Sequence, residues 1–416
     1  MFFVQKSLAM KIDYSLGSSV GIYSNINLEN DPISDEGVIS LFGTLSLSEN
    51  TSNLVGRLDT IIEATNYYND LAEDDVTGML VGEGLWIIEP RKFEWYMADT
   101  FTQTVINIFE SSNADNTENA NAFVTGPNYF IRLKARSNIA LEARYMNFNF
   151  EESTADNVRY AGAMRWLYEL NSSLVAGLNY EQENTDYEDN QFVLDHKRKD
   201  AFASLSYKRG INTLDLEAGR NEITDDSGIT IEGYRYGAHF ESQRTSVSNI
   251  RLGIEQGLND TGSELLDIIN DPLNLDLDIA STSDFYRNRR AYVRYRYASS
   301  FFGYDARALY NEDYYPKQPI LSEQNYVANL IGTYNLSNGD TFTISGEKIY
   351  RKYVNTTPLR TDWDTLYSVQ YSRNIARRLS FNVRAEKEQR DSSDELQDYV
   401  DNRLIFTLEY TTRLGI

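Results

Sequence analysis

The 416-residue chain contains no cysteine, two histidines and only seven prolines. Without thiols it holds neither a disulfide framework nor a thiolate metal site. His196 and His239 are too few for a His-based metal or catalytic centre, and neither accompanies a nucleophile signature. No stretch approaches the roughly 18 apolar residues of a membrane helix. Positive charge is scarce, with 39 Lys and Arg against 62 Asp and Glu, a net charge of −23. That sign is wrong for a surface that must meet nucleic-acid phosphates. The absences together predict a chain that is not an enzyme, needs no cofactor and binds no nucleic acid.

What the chain has instead is aromatic residues, 30 Tyr and 19 Phe, and a period-two pattern. Ala291, Val293, Tyr295 and Tyr297 alternate with Arg290, Tyr292, Arg294 and Arg296, and Leu404, Phe406, Leu408 and Tyr410 with Arg403, Ile405, Thr407 and Glu409. Such alternation marks strands with one apolar and one polar face. It suits a soluble sandwich as well as a membrane barrel, so connection lengths decide. About twenty strand-like segments are joined by connections that take turns in length. Short ones fall near 49–53, 89–92, 136–138, 169–173, 208–212, 243–247, 298–301, 336–340 and 374–378. Long ones fall at 24–36, 67–75, 107–124, 151–157, 184–192, 222–228, 258–284, 311–321, 354–361 and 389–398. This is the rhythm of outer-membrane barrels, with short periplasmic turns and long outer loops.

Charge separates the same two sets. The 258–284 connection carries Asp260, Glu264, Asp267, Asp271, Asp276, Asp278 and Asp284 and no base, whereas short turns carry Arg91, Lys92, Arg136, Lys208, Arg209, Arg377 and Arg378. Prolines lie in connections or at strand starts, where no ladder hydrogen bond is lost. Tyr67, Tyr68, Tyr234, Tyr236, Tyr314 and Tyr315 cluster near strand ends. That placement fits an interfacial girdle, with aromatics packed inside a sandwich as the alternative. One helix is predicted, at 263–270 in the longest connection. Its residues Glu264, Leu265, Leu266, Asp267, Ile268 and Ile269 read either as a segment outside the barrel or as a constriction or lid folded into the pore.

Residues 85–91 (Leu85, Trp86, Ile87, Ile88, Glu89, Pro90, Arg91) lead into Phe93, Glu94 and Trp95, then Asp99, Phe101 and Gln103. Next comes Asn119, Ala120, Asn121, Ala122, Phe123, Val124, Thr125, Gly126 and Pro127. This region resembles the outer-membrane β-barrel proteins of exopolysaccharide and exosortase (PEP-CTERM) loci. The resembling elements are a strand, a Pro-Arg turn, a Trp/Asp/Gln strand and an Asn-rich loop closing on Thr-Gly-Pro. The resemblance implies a porin-like channel of capsule and biofilm polysaccharide export and carries over no functional residue.

The expected fold is therefore all-β, a transmembrane antiparallel barrel of about 18–20 strands. It forms one domain over residues 10–416, with residues 1–9 as an N-terminal remnant of a signal region. The location expected is the outer membrane of a Gram-negative bacterium. Strand parity turns Arg132, Lys134, Arg144, Arg159, Arg165, Arg235, Arg251, Arg290, Tyr292, Arg294, Arg296, Asp305, Arg307 and Arg384 toward the lumen. Glu142, Glu181, Glu217, Glu241, Glu255 and Glu386 face it too. The wall reads either as mutual ion-pair lacing or as a track for an anionic polymer along Arg290, Arg294, Arg296 and Arg307. The expected function is passive exopolysaccharide export within an envelope-spanning secretion system. A general small-solute porin or a non-conducting structural or adhesive barrel is the alternative. Expected partners are a polysaccharide chain in the lumen, lipopolysaccharide and phospholipid around the barrel, and periplasmic export proteins.

Overall fold

The computed structural model describes residues 10–32, 34–188, 194–270 and 279–415. The first ten strands are β1 Lys11–Tyr23, β2 Glu36–Asn50, β3 Leu54–Tyr67, β4 Asp75–Glu89, β5 Phe93–Val105, β6 Thr117–Lys134, β7 Ser137–Phe150, β8 Asn157–Asn171, β9 Leu174–Tyr187 and β10 His196–Arg209. The rest are β11 Asn212–Asp225, β12 Thr230–Thr245, β13 Ser248–Asn259, β14 Tyr286–Ala298, β15 Phe302–Tyr314, β16 Glu323–Asn335, β17 Thr341–Tyr353, β18 Arg360–Ala376, β19 Leu379–Ser392 and β20 Tyr399–Gly415. Each strand pairs antiparallel with its sequence neighbours, and β1 pairs with β20 from Lys11↔Gly415 to Tyr23↔Arg403, which closes the sheet. Twenty strands about 4.8 Å apart and tilted by about 40° give a backbone diameter of roughly 40 Å. Lys11 and Gly415, at the outer ends of β1 and β20, lie on the short-turn side.

Through the middle of the wall the outward positions are apolar. Leu16, Val20, Ile39, Leu41, Ile62, Leu178, Ile254, Val293, Leu330, Ile344, Val369, Phe406 and Leu408 are all exposed. Tyr310, Tyr326, Tyr350 and Trp363 lie opposite one another on β15 to β18, with ring centroids 5.0, 6.0 and 4.5 Å apart. Nearer the short turns, Tyr297 and Tyr304 stack at 5.4 Å, and Trp86 pairs with Trp95 across β4 and β5. These are two aromatic girdles bounding an apolar band, the exterior a barrel presents to lipid. Closure supplies every wall strand with a partner on both sides, as a bilayer requires. The chain is an integral outer-membrane barrel.

All nine short turns fall where the spacing places them. The 107–124 connection does not, because residues 117–124 belong to β6. Two alanines and two asparagines are poor strand formers, which is why the segment reads as a loop. Ala120 and Ala122 are fully buried, and what covers them explains their size.

Candidate functional site

The predicted helix exists as α1, Thr261–Asn270, and it lies inside the barrel. Leu265 and Ile268 are buried against Val81, Ala98, Ala120, Ala122, Val124, Met146 and Phe148 on β4 to β7. The small alanines leave room for the helix. Between the two readings of this segment, the structure selects the fold-in one. The side chain of Ile269 lies outside the described residues.

Asp260 fixes the entry to α1. One carboxylate oxygen accepts from the Ser263 N–H at 2.9 Å, capping the helix. The two oxygens also accept from the Arg159 guanidinium of β8 at 2.9 and 3.1 Å. Arg159 lies 4.3 Å over the Phe148 ring and donates further to Glu183 and Asn157. Gly262 is required here, since a Cβ would come within 2.4 Å of the Arg159 guanidinium. Burial alone would raise the Asp260 carboxyl, but Arg159 holds it well below the usual carboxylate range. The opposite side of α1 carries Glu264, which burial lifts to about 7 against the pull of Tyr286 and Arg290.

The return segment of the same connection runs along the end of β5. Val105 donates to the Ile279 carbonyl and accepts from Ser281, both at 2.8 Å. The Thr104 and Ser281 hydroxyls meet at 2.6 Å, and Thr261 donates to the Ala280 carbonyl at 2.7 Å. A second loop, 106–116, crosses the other way. Tyr353 of β17 donates to the Ile108 carbonyl at 2.8 Å, and Arg360 of β18 donates to that of Phe109. Asn113 reaches the Asn27 carbonyl at 2.9 Å. The long-loop mouth is thus spanned by two segments rooted on different walls and latched far across the barrel.

The lumen-facing residues divide by height. Beneath α1 lies a cavity of about 440 Å³ lined by Arg144, Arg165, Arg198, Arg235, Glu142, Glu183, Asp200 and Glu217, among others. Arg165 pairs with Glu142 at 2.9 Å and Glu181 at 3.3 Å, Arg235 with Glu217 at 3.1 Å, and Arg144 packs over Tyr96. Further along the same wall Arg290 pairs with Glu255 at 3.5 Å, and both Arg294 and Arg296 with Asp305. Tyr292 contacts His239 at 3.2 Å. Arg307 stands opposite Arg294 in register, Arg251 pairs with Glu241, and Arg384 with Glu386. Arg132 and Lys134 are exposed near the 135–136 turn. The lacing reading therefore describes most of these arginines. His196 opens β10 and is buried between the Tyr187 and Phe285 rings.

Exposure maps the water path. Arg251 and Glu241, near the short turns, keep 44% and 45% of their side-chain surface. Arg159 and Asp260, near the loops, keep 2% each. Among the described residues, these lumen side chains near the short turns are wetter than those packed beside α1. Sequence parity locates the wall but not the two latches. Arg360, Asp362 and Arg390, which support the 106–116 loop, carry no motif beyond their shared strand face.

No protein-family model matches the chain, and no curated protein matches it. Similar solved structures include OccK3 (OpdO) of Pseudomonas aeruginosa, 10% identical over 98% of each chain with a TM-score of 0.39. The FrpB iron transporter of Neisseria meningitidis (F5-1 variant) is 8% identical, with 96% of this chain and 82% of that one covered and a TM-score of 0.45. OccK2 (OpdF) of P. aeruginosa, solved in complex with glucuronate, is 12% identical over 97% and 98%, with a TM-score of 0.41. At these distances function is read from the chain's own side chains.

Proposed function

We propose that the protein is a gated outer-membrane channel for hydrophilic solutes, open to the periplasm and closed at the outer mouth by the α1 connection and the 106–116 loop. The observation that carries this reading is the gradient of exposure along one charged lumen, from 44% at Arg251 to 2% at Arg159. A wet vestibule ending under latched loops suits conduction regulated by loop movement. A second reading is passive export of an exopolysaccharide. Its support is the width of a twenty-strand wall and Tyr292, whose ring stands among the arginines of β14 and offers a face on which a sugar stacks.

The test uses the absence of native cysteine. Thr104→Cys with Ser281→Cys places two thiols where hydroxyls now touch. In planar bilayers the oxidised variant is expected to stay closed and to conduct after reduction. Equal conductance in both redox states places the solute path elsewhere. Secreted polysaccharide that falls on oxidation, in cells, would move the export reading ahead.

A further inference from the structure

A chain with a net charge of −23 has few cations to spare, yet a group of them points away from the lumen. Arg220 lies opposite Tyr234 across β11 and β12, and Arg287 opposite Tyr314 across β14 and β15; between them Leu258 of β13 turns inward and is buried against Ile223 and Phe285. Tyr236, Gln256, Arg289, Glu312, Gln324 and Lys352 form the row two residues closer to the short turns. That parity is the outward one, because the alternate positions, Arg235, Asn288 and Arg290, line the lumen side. The next row down contains Tyr310, Tyr326 and Tyr350, the upper aromatic girdle. Arg289 therefore stands one step above the girdle and Arg220 and Arg287 two, at headgroup level, where a lipid-facing charge costs about 0–1 kcal/mol.

Around these residues lies a depression of about 790 Å³ whose lining includes Arg220, Tyr234, Tyr236, Arg287 and Arg289, with one carboxylate, Glu232. Arg289 is held by Gln256 at 2.7 Å and by Glu312 at 3.1 Å. Arg220 lies 5.7 Å from the Tyr234 ring and Arg287 lies 5.1 Å from the Tyr314 ring. Among the described residues, neither has a carboxylate within ion-pair distance. Directly below, on the same strands, Ala238, Phe240, Leu252, Ile254, Val293 and Ala308 line an apolar depression of about 580 Å³. Arg220 of β11 and Arg287 of β14 stand three strands apart, at least about 14 Å.

We infer that the outward face of β11 to β14 binds a phosphorylated, acylated glycolipid of the outer leaflet, the lipid A type. Its phosphates would meet Arg220 on one side and Arg287 with Arg289 on the other. Its sugar rings would lie on Tyr234, and an acyl chain would fill the apolar depression. Charge complementarity selects this occupant over a neutral lipid. The spacing of the two cationic ends selects a headgroup with two separated phosphates over a phospholipid with one. The site is independent of what passes through the lumen.

The full chain, purified in detergent, is titrated with diphosphoryl lipid A, with its dephosphorylated form and with phosphatidylglycerol. Bound lipid is counted by native mass spectrometry. The wild type is expected to retain diphosphoryl lipid A about ten-fold better than either competitor. Arg220→Gln, Arg287→Gln and Arg289→Gln together should remove that preference, with heat-modifiable gel migration reporting an intact barrel. Tyr234→Ala keeps the charges and should weaken retention by several-fold, which decides the matter if the triple variant does not assemble. Retention unchanged in the variants, or phosphatidylglycerol bound as well as lipid A, overturns the assignment.

Discussion

Asp260 carries two duties, capping α1 and neutralising a guanidinium 101 residues away. Removing one partner of a buried ion pair costs about 3–5 kcal/mol, because the other is left charged and dry. Asp260→Ala is therefore expected to unseat the helix while the wall stays folded. The readout is a raised open fraction in bilayer recordings, together with new protease cleavage inside 261–285. Glu264 adds a pH dependence. Its carboxyl sits at about 7 when α1 is seated and near 4.5 in water, so the seated state binds more protons. Seating is strongest below about pH 4.5 and weakens as pH rises toward 7. Conductance should therefore increase from pH 5 to pH 8, and Glu264→Gln should flatten that rise. Sequence parity turns Arg159 inward. It says nothing of Asp260, which reads as one acid among seven in a solvated loop, because a contact across the lumen leaves no local pattern.

At the level of elements, the strands are legible because each repeats one rule: apolar toward lipid, polar toward water. The failure at 117–124 is equally instructive. There the inward residues are Ala120, Ala122 and Val124, chosen by what α1 presses on them and not by strand propensity. A helix lying on a sheet wants small side chains beneath it, and small side chains weaken the strand signal. Ala122→Leu should therefore leave β6 paired and push α1 off the wall. The expected result is an assembled, heat-modifiable barrel with larger conductance than wild type. Conductance equal to wild type would mean that the helix repacks in place.

For the molecule as a whole, the alternation of turns and a strand number within about two were readable from spacing, while the filling of the lumen was not. The arginine wall at Arg290, Arg294, Arg296 and Arg307 shows why. Parity identifies its direction, but Glu255 and Asp305 cancel much of its charge. Replacing the four with Gln should leave those carboxylates uncompensated and shift the reversal potential under a salt gradient toward cation preference. An unchanged reversal potential would show that this wall lies off the conducting path. The latched loops have one more consequence, a mechanical one. Hydrogen bonds from Tyr353 to Ile108 and from Arg360 to Phe109 join residues 245 and 251 apart in sequence, while Arg159 and Asp260 tie another pair of walls. A sheet of twenty strands rolled to roughly 40 Å is a thin hoop that flattens under uneven lateral pressure from lipid. Two struts set across such a hoop hold it round, so releasing the loops would soften the cylinder's cross-section as well as unblock it.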